Sequence, residues 1–249
     1  GQEGGVGAYA ALAPWYDALT PDVPYEPSAD SSERVFAGRE GEFKLLLDLC
    51  CGTGTLALMM SGRGYDMIAA DGSEEMLMCA REKAYGAAVP MPLFICQRAG
   101  ELDLYGTVDA AYSSLDSLSY VPLDELDECF RRLRLFIRPG GVLVFDLRTP
   151  EFLRGMDGSV SVDETDDVFC VWRGRFDEEA QALRYGMDIF SRVKGDTYSH
   201  ANEEHIEYAH DLDAVTALLA GHGFTDIRTR PDGPMAGADR VFIEAVRGE

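Results

Sequence analysis

The stretch LDLCCGTGT, residues 47–55, ends an apolar run with an acidic residue, two adjacent cysteines and two glycines. Two chemistries fit such residues: thiols that hold a metal or a disulfide, or a glycine turn that cradles a nucleotide. The six cysteines, Cys50, Cys51, Cys79, Cys96, Cys129 and Cys170, nowhere form the C-x-x-C spacing of a zinc site. Cys50 and Cys51 would point to opposite sides of an extended strand and make a poor chelating pair. All six read as small buried hydrophobes of a reducing compartment. Gly52 and Gly54 are the better candidates, because without Cβ atoms they let the backbone turn sharply and approach a ligand.

GTGTLA fits the G-x-G-x-x-A pattern of dinucleotide binders, so the glycines alone do not discriminate between ligands. Their neighbours do. Asp48 precedes Gly52 by four residues, where a pyrophosphate gains nothing from an extra anion and a ligand with a positive head gains a partner. Asp71 follows Gly54 by 17 residues, at the end of a second apolar run, where a carboxylate can accept hydrogen bonds from ribose hydroxyls. The alternative for Asp71 is a solvated helix-entry aspartate in DGSEE. Two acids and a glycine turn, with no basic residue nearby to meet phosphate, suit S-adenosylmethionine better than NAD.

Three further residues could move a proton: His205 in EEHIEYA, Asp116 and Tyr16. A histidine in a strand also serves as a packing or hydrogen-bonding residue. His200, His205 and His210 are spaced by five, which alternates strand faces, so no three-histidine metal site is expected and no metal is assigned.

The elements that must position these residues alternate. FKLLLDLC (43–50), YDMIAAD (65–71), MPLFICQ (91–97), VDAAYSS (108–114) and GGVLVFDL (140–147) read as strands, the first as an apolar run buried on both faces. Helices are expected at about 28–39, after Gly54, over 73–86 with Ser73 as N-cap, over 122–137 and over 211–223. Alternation of this kind predicts an α/β fold with a doubly wound, mainly parallel seven-stranded sheet and right-handed crossovers. Beyond about residue 160 the pattern changes to three extended runs separated by DEEA and KGD, an inserted antiparallel meander. FTDIRTRP and ADRVFIEAVR close the chain as two strands. The expected organisation is an N-terminal cover (1–40), a ligand-binding domain (41–155 and 211–249) and an inserted sheet (156–210). The opening GQEGGVG resembles a flexible end or a cloning remnant and is set aside.

The 249 residues suffice for one substantial domain with an insertion. A net charge of −22 argues strongly against a nucleic-acid backbone as partner, since that affinity comes largely from lysine and arginine, and it disfavours anionic membranes. No stretch approaches the roughly 18 apolar residues of a membrane span, and the N-terminus lacks a basic region followed by an apolar one, so a cytoplasmic protein is expected.

Together LLLDLCCGTGTLAL, YDMIAADGSEEMLMCAREKA, VDAAYSSLDSLSYV and LRLFIRPGGVLVFDLRTP resemble the class I S-adenosylmethionine-dependent methyltransferases of the small-molecule type. The plan, with its inserted sheet and the lead YDALTPDVPYE, is similar to that of bacterial amino-sugar N-methyltransferases. The resemblance implies a Rossmann-like methyltransferase fold, S-adenosyl-L-methionine as cofactor, a small-molecule acceptor carrying an amine or hydroxyl, and a monomer or homodimer. It implies that Asp48, Gly52 and Gly54 line the methionine end, Asp71 holds the ribose, and Gly72, Ser73 and Met76 border the adenosine. Ser113 would face the sulfonium side, and Tyr16 and Tyr25 would be aromatic lids, with plain packing as their alternative.

One departure stands out: Arg98 occupies the place where relatives usually carry an aspartate for the adenine amino group, leaving the Ala99 N–H to meet the ring. This implies weakened binding or a cofactor variant with an extra anion, and Ser28 and Ser32, where relatives often have aromatics, point the same way. The rival readings are a binding protein that has lost transfer activity and an NAD-dependent oxidoreductase. SSLD, in place of an N-P-P-Y-like tetrapeptide after the fourth strand, favours a small metabolite over DNA or protein glutamine.

Overall fold

The computed structural model describes residues 9–230, 233 and 239–249; the stretch GQEGGVG lies outside them. After a 3-10 turn (Ala13–Trp15) come α1 (Tyr16–Leu19) and α2 (Tyr25–Ala37). The alternating body follows as β1 (Leu45–Leu49), α3 (Thr55–Gly62), β2 (Asp66–Asp71), α4 (Glu74–Gly86), β3 (Leu93–Cys96), β4 (Val108–Ser113), α5 (Leu123–Phe136) and β5 (Ile137–Arg148). A short α6 (Pro150–Gly155) leads into β6 (Val160–Glu164), β7 (Val168–Asp177), β8 (Ala182–Lys194) and β9 (Thr197–Tyr208). The chain closes with α7 (Leu212–Gly221), β10 (Phe224–Arg230) and β11 (Arg240–Arg247).

Seven strands form one sheet in the order β10-β11-β5-β4-β1-β2-β3, parallel except where β11 pairs antiparallel with β5 and β10. Strand alternation divides its side chains between two cores. Leu47, Leu49, Ala111 and Phe145 face α5 and α7 through Phe130, Leu133, Val215 and Leu219. Leu46, Ala110 and Tyr112 face α2 and α3 through Ala29, Phe36, Leu56 and Met60. Asp48 shares the face of Leu46, which carries its carboxyl into an otherwise apolar layer.

The inserted sheet has four antiparallel strands, β6-β7-β8-β9, where three extended runs were expected. The additional strand, β6, is exposed at all five residues and is only five residues long, so the brief alternation in VSVDE reflects no buried face. The N-terminal segment packs on this sheet: Leu12 and Leu19 join Val168, Cys170, Met187 and Ile189 in a third apolar cluster. Two smaller differences have local causes. α2 begins at Tyr25 rather than near residue 28, and α6 arises from a Thr149 N-cap, whose hydroxyl accepts from the Phe152 N–H, followed by Pro150 in the first turn.

Candidate active site

A cavity of about 790 Å³ opens at the carboxyl ends of β1, β2 and β4 and runs beneath the inserted sheet. Its floor is the loop after β1. Gly52 and Gly54 both adopt left-handed backbone angles, φ +54° and +72°. They differ in surroundings: a Cβ at Gly52 would meet nothing within 4 Å, whereas one at Gly54 would lie 3.0 Å from the Ala80 Cβ and 3.1 Å from the Phe94 ring. Gly52 therefore lines the cavity, while Gly54, expected there as well, lets α3 start close against α4 and β3.

Asp71 staples this turn to the next helix. Its Oδ2 accepts the Gly52 N–H and its Oδ1 the Ser73 N–H, both at 2.8 Å. Burial raises the pKa of the group, and these N–H donors oppose the rise. Ser73 caps α4 by accepting the Met76 N–H at 3.2 Å, and Gly72, Ser73 and Met76 continue the cavity wall. Asp48 is 2% exposed and is paired in register with Tyr112 of β4, yet among the described residues its Oδ2 and the Tyr112 hydroxyl lack a well-formed hydrogen bond. Burial pushes the Asp48 carboxyl well up.

Cys50 packs, partly buried, against the core on the α5 side and Cys51 against that on the α2 side, both border the cavity, and burial pushes both thiol pKa values up. Asp17 of α1, unremarked in the sequence, bridges the cover to the floor: it accepts from the Thr53 hydroxyl at 2.6 Å and pairs with Lys83. Tyr16 and Tyr25, from the same segment, line the cavity.

Three expected positions differ. Arg98 reaches the wall through its aliphatic stem, which packs on Gly72, while its guanidinium donates to both Glu125 oxygens at 2.8 Å. Its charge is thus already met on α5, which removes the reason to expect an extra anion on the cofactor. Ala99, beside it, is buried and on the wall. Ser113 lies outside the large cavity, in a small pocket with Ser28 and Ser32, and Ser114 takes the cavity-facing position. Asp116 lines the cavity but is not a free base: its N–H donates to Asp146 at 2.8 Å and its carboxylate pairs with Arg240, with the Arg148 Nε 3.6 Å away. Asp146 also pairs with Arg240; burial lifts its carboxyl to about 6 against the pull of that cation.

The roof comes from β7, β8 and β9. Trp172, Tyr185, His205 and Glu207 line it. The His205 Nε2 shares a 2.8 Å hydrogen bond with the Glu203 carboxylate, and the ring meets the Tyr9 ring edge-on at 4.1 Å. Glu203 also accepts the Ala11 and Leu12 N–H groups, which clamps the N-terminal segment to the roof. Burial works against the Glu203 charge, but His205 and these N–H donors outweigh it and lower its pKa. His200 pairs with Asp188 and His210 with the Val121 carbonyl, so the three histidines hold separate partners. Glu207 and Arg240 were missed in the sequence. Strand period alone was a signal for Glu207, since it shares a face of β9 with His205.

A family description, "Methyltransferase domain", matches residues 46–141. The protein YqeM of Bacillus subtilis (strain 168) is 26% identical over 248 residues, 97% of this chain and 98% of its own. Among solved structures, an S-adenosylmethionine-dependent methyltransferase from Clostridium acetobutylicum superposes with a TM-score of 0.82 at 25% identity, covering 97% of this chain and 99% of that one. The sugar N-methyltransferase KedS8 from Streptoalloteichus shares the fold, with a TM-score of 0.79 at 21% identity over 100% of this chain and 97% of its own. The strand order and the glycine turn at the cavity floor accompany a methyltransferase domain over residues 46–141, and along nearly its whole length the chain is similar to an S-adenosylmethionine-dependent methyltransferase.

Proposed function

We propose that this chain methylates a small-molecule acceptor held between the β1 turn and the inserted sheet. The observation that carries this reading is a continuous cavity bounded below by Asp48, Gly52 and Asp71 and above by Trp172, Tyr185 and His205. The residues fit S-adenosylmethionine. Asp71 keeps lone pairs for ribose hydroxyls after accepting two N–H groups, the Asp48 Oδ2 makes no well-formed hydrogen bond among the described residues, and Gly52 leaves open space. When bound, S-adenosylmethionine supplies an activated methyl group on a sulfonium.

The residues divide the remaining work. Asp48 and Gly52 would hold the methionine end, Asp71 the ribose, and Gly72, Ser73, Met76 and Ala99 the adenosine. Tyr16 and Tyr25 would close over the ligand as aromatic lids, with residues 1–40 as the cover, 41–155 and 211–249 as the body, and 156–210 as the acceptor-side roof. Burying both reactants under this roof excludes water and fixes their approach, and alignment alone can supply about 7–11 kcal/mol of the barrier. His205, oriented by Glu203, is the candidate to assist a hydroxyl acceptor, whereas an amine needs only to be neutral. The acidic surface and the sugar N-methyltransferase activity named for KedS8 support a small metabolite over nucleic acid. The protein would work in the cytoplasm as a monomer or homodimer.

Calorimetry with S-adenosylmethionine, S-adenosylhomocysteine and NAD tests the cofactor reading. Both sulfur nucleosides should bind and NAD should not; absence of binding by either nucleoside refutes it. Metabolite screening with a methyl-labelled donor then tests the acceptor class.

A further inference from the structure

Glu207 lies on the cavity wall at 1% exposure, two residues beyond His205 on the same face of β9. Charged and titratable groups reach it from every side. Asp116 comes from the loop after β4, Arg148 from the end of β5, Tyr185 from β8, and Tyr120 from the 3-10 turn Ser117–Tyr120. Arg240 of β11 stands behind Asp116, with Asp146 as its second partner. The Asp116 charge and the Tyr185 phenol lie close enough to the Glu207 carboxyl to influence its ionisation.

The two nearby cations are committed elsewhere. Arg240 serves Asp116 and Asp146, and Arg148 donates to Asp239 at 2.7 Å while its Nε stays 4.0 Å from the Glu207 Oε1. Among the described residues the Glu207 Oε1 finds no hydrogen-bond partner, and neither do the Trp172 Nε1 and the Arg148 Nε on the same cavity wall. Buried polar atoms left in this state on a cavity wall mark a surface built for a ligand. Burial, reinforced by the Asp116 charge, pushes the Glu207 carboxyl up to about 9. A neutral carboxyl cannot activate a hydroxyl, but its proton affinity nears that of an alkylamine, about 10.4 for a lysine side chain.

We propose that Glu207 binds the methyl acceptor as an ammonium ion and takes its proton, so that the substrate is a small-molecule amine. This rests on the methyl-transfer reading of the cavity. As R–NH3+ enters, the Glu207 proton leaves to solvent and a carboxylate–ammonium pair forms. A proton then passes from nitrogen to the carboxylate, which restores the neutral acid and frees the nitrogen pair. That pair forms the new N–C bond as the bond from methyl to sulfur breaks and its electrons remain on sulfur. The product leaves as a methylated ammonium, and one proton has been released overall.

The test uses the full chain and Glu207→Gln, which keeps the shape but does not ionise. S-adenosylhomocysteine should bind both proteins equally; failure to bind the wild type would refute the methyl-transfer reading rather than the role of Glu207. Cyclohexylamine and cyclohexanol are then titrated into the S-adenosylhomocysteine-loaded proteins, by calorimetry in two buffers of different ionisation enthalpy. The wild type should release about one proton with the amine and none with the alcohol, and the variant, with no carboxylate to pair with an ammonium, should bind the amine at least tenfold more weakly at neutral pH. With methyl-labelled donor, a panel of primary and secondary amines and matched alcohols should give product from amines. Glu207→Gln should lower that rate about 100-fold at neutral pH, with recovery as pH rises and free amine accumulates. Preferred methylation of alcohols, an amine panel without product or proton release, or wild-type rates and amine affinity in the variant would each overturn the proposal. The proton count on the wild-type chain needs no variant to fold.

Discussion

The two glycines of the β1 turn should separate stability from binding when each is changed to alanine. Both sit in the left-handed region, where a Cβ costs about 1–2 kcal/mol. At Gly54 the added Cβ also meets Ala80 at 3.0 Å and Phe94 at 3.1 Å, on packed elements that cannot easily withdraw, and crowding of this kind costs a further ~1–3 kcal/mol. Gly54→Ala should therefore lose about 2–5 kcal/mol of unfolding free energy and melt roughly 4–20 °C lower. Gly52→Ala should lose only the backbone share, about 1–2 kcal/mol, because its Cβ enters open space. That space belongs to the proposed cofactor cleft, so Gly52→Ala should weaken S-adenosylhomocysteine at least tenfold, a cost of about 1.4 kcal/mol. Folded Gly54→Ala should bind within about threefold of wild type, a shift of about 0.7 kcal/mol. Urea denaturation and calorimetry at one temperature read both quantities. Equal stability losses in the two variants, or a binding loss confined to Gly54→Ala, would refute the assignment of one glycine to packing and the other to the ligand.

Replacing Asp71 by alanine removes a charge-assisted acceptor worth about 1.5–3 kcal/mol, so S-adenosylhomocysteine should bind roughly 10- to 100-fold more weakly in calorimetry. Arg98→Ala should change that affinity less than about threefold and stability by less than ~1 kcal/mol, because its charge is spent on an exposed pair with Glu125; a larger binding change would place the guanidinium on the cofactor after all. Glu207 carries a raised pKa in the folded chain, so its stabilisation is complete below the ordinary glutamate range and is lost as pH rises through about 9. Between pH 6 and 8 the stability difference, Glu207→Gln minus wild type, should grow in the variant's favour by about 1.4 kcal/mol per pH unit, the slope for one proton. Urea titrations that give the two proteins parallel pH profiles would contradict this.

Much of the fold was legible because its signals are local. Apolar runs such as LLLDL and the Ser73 cap depend on neighbours within a turn or two, and these elements appear within a few residues of their expected bounds. β6 escaped because a strand exposed on both faces carries no periodic burial, and α6 because one cap and one proline make a weak signal. In the site, Asp48, Asp71 and the Gly72–Met76 stretch follow the β1 and β2 ends so closely that strand assignment alone brings them to the cleft. Ser113 and Ser114 show the limit of that reasoning, since the large cavity begins only at the residue just past the end of β4 and an error of one residue there misses it.

By itself the sequence determined the alternating architecture, the glycine turn, the acidic strand ends and the class of methyl donor, because each is encoded by composition or short spacing. Only the tertiary structure decided which of two similar glycines meets the ligand, that Arg98 turns to Glu125, and that Asp116 is held by Arg240. The same holds for Glu207, whose character comes from β4, β5, β8 and β11 converging on a residue of β9. The physical reason is that burial and Coulomb interactions depend on distance in space, and the partners that set the state of a buried acid lie far from it along the chain.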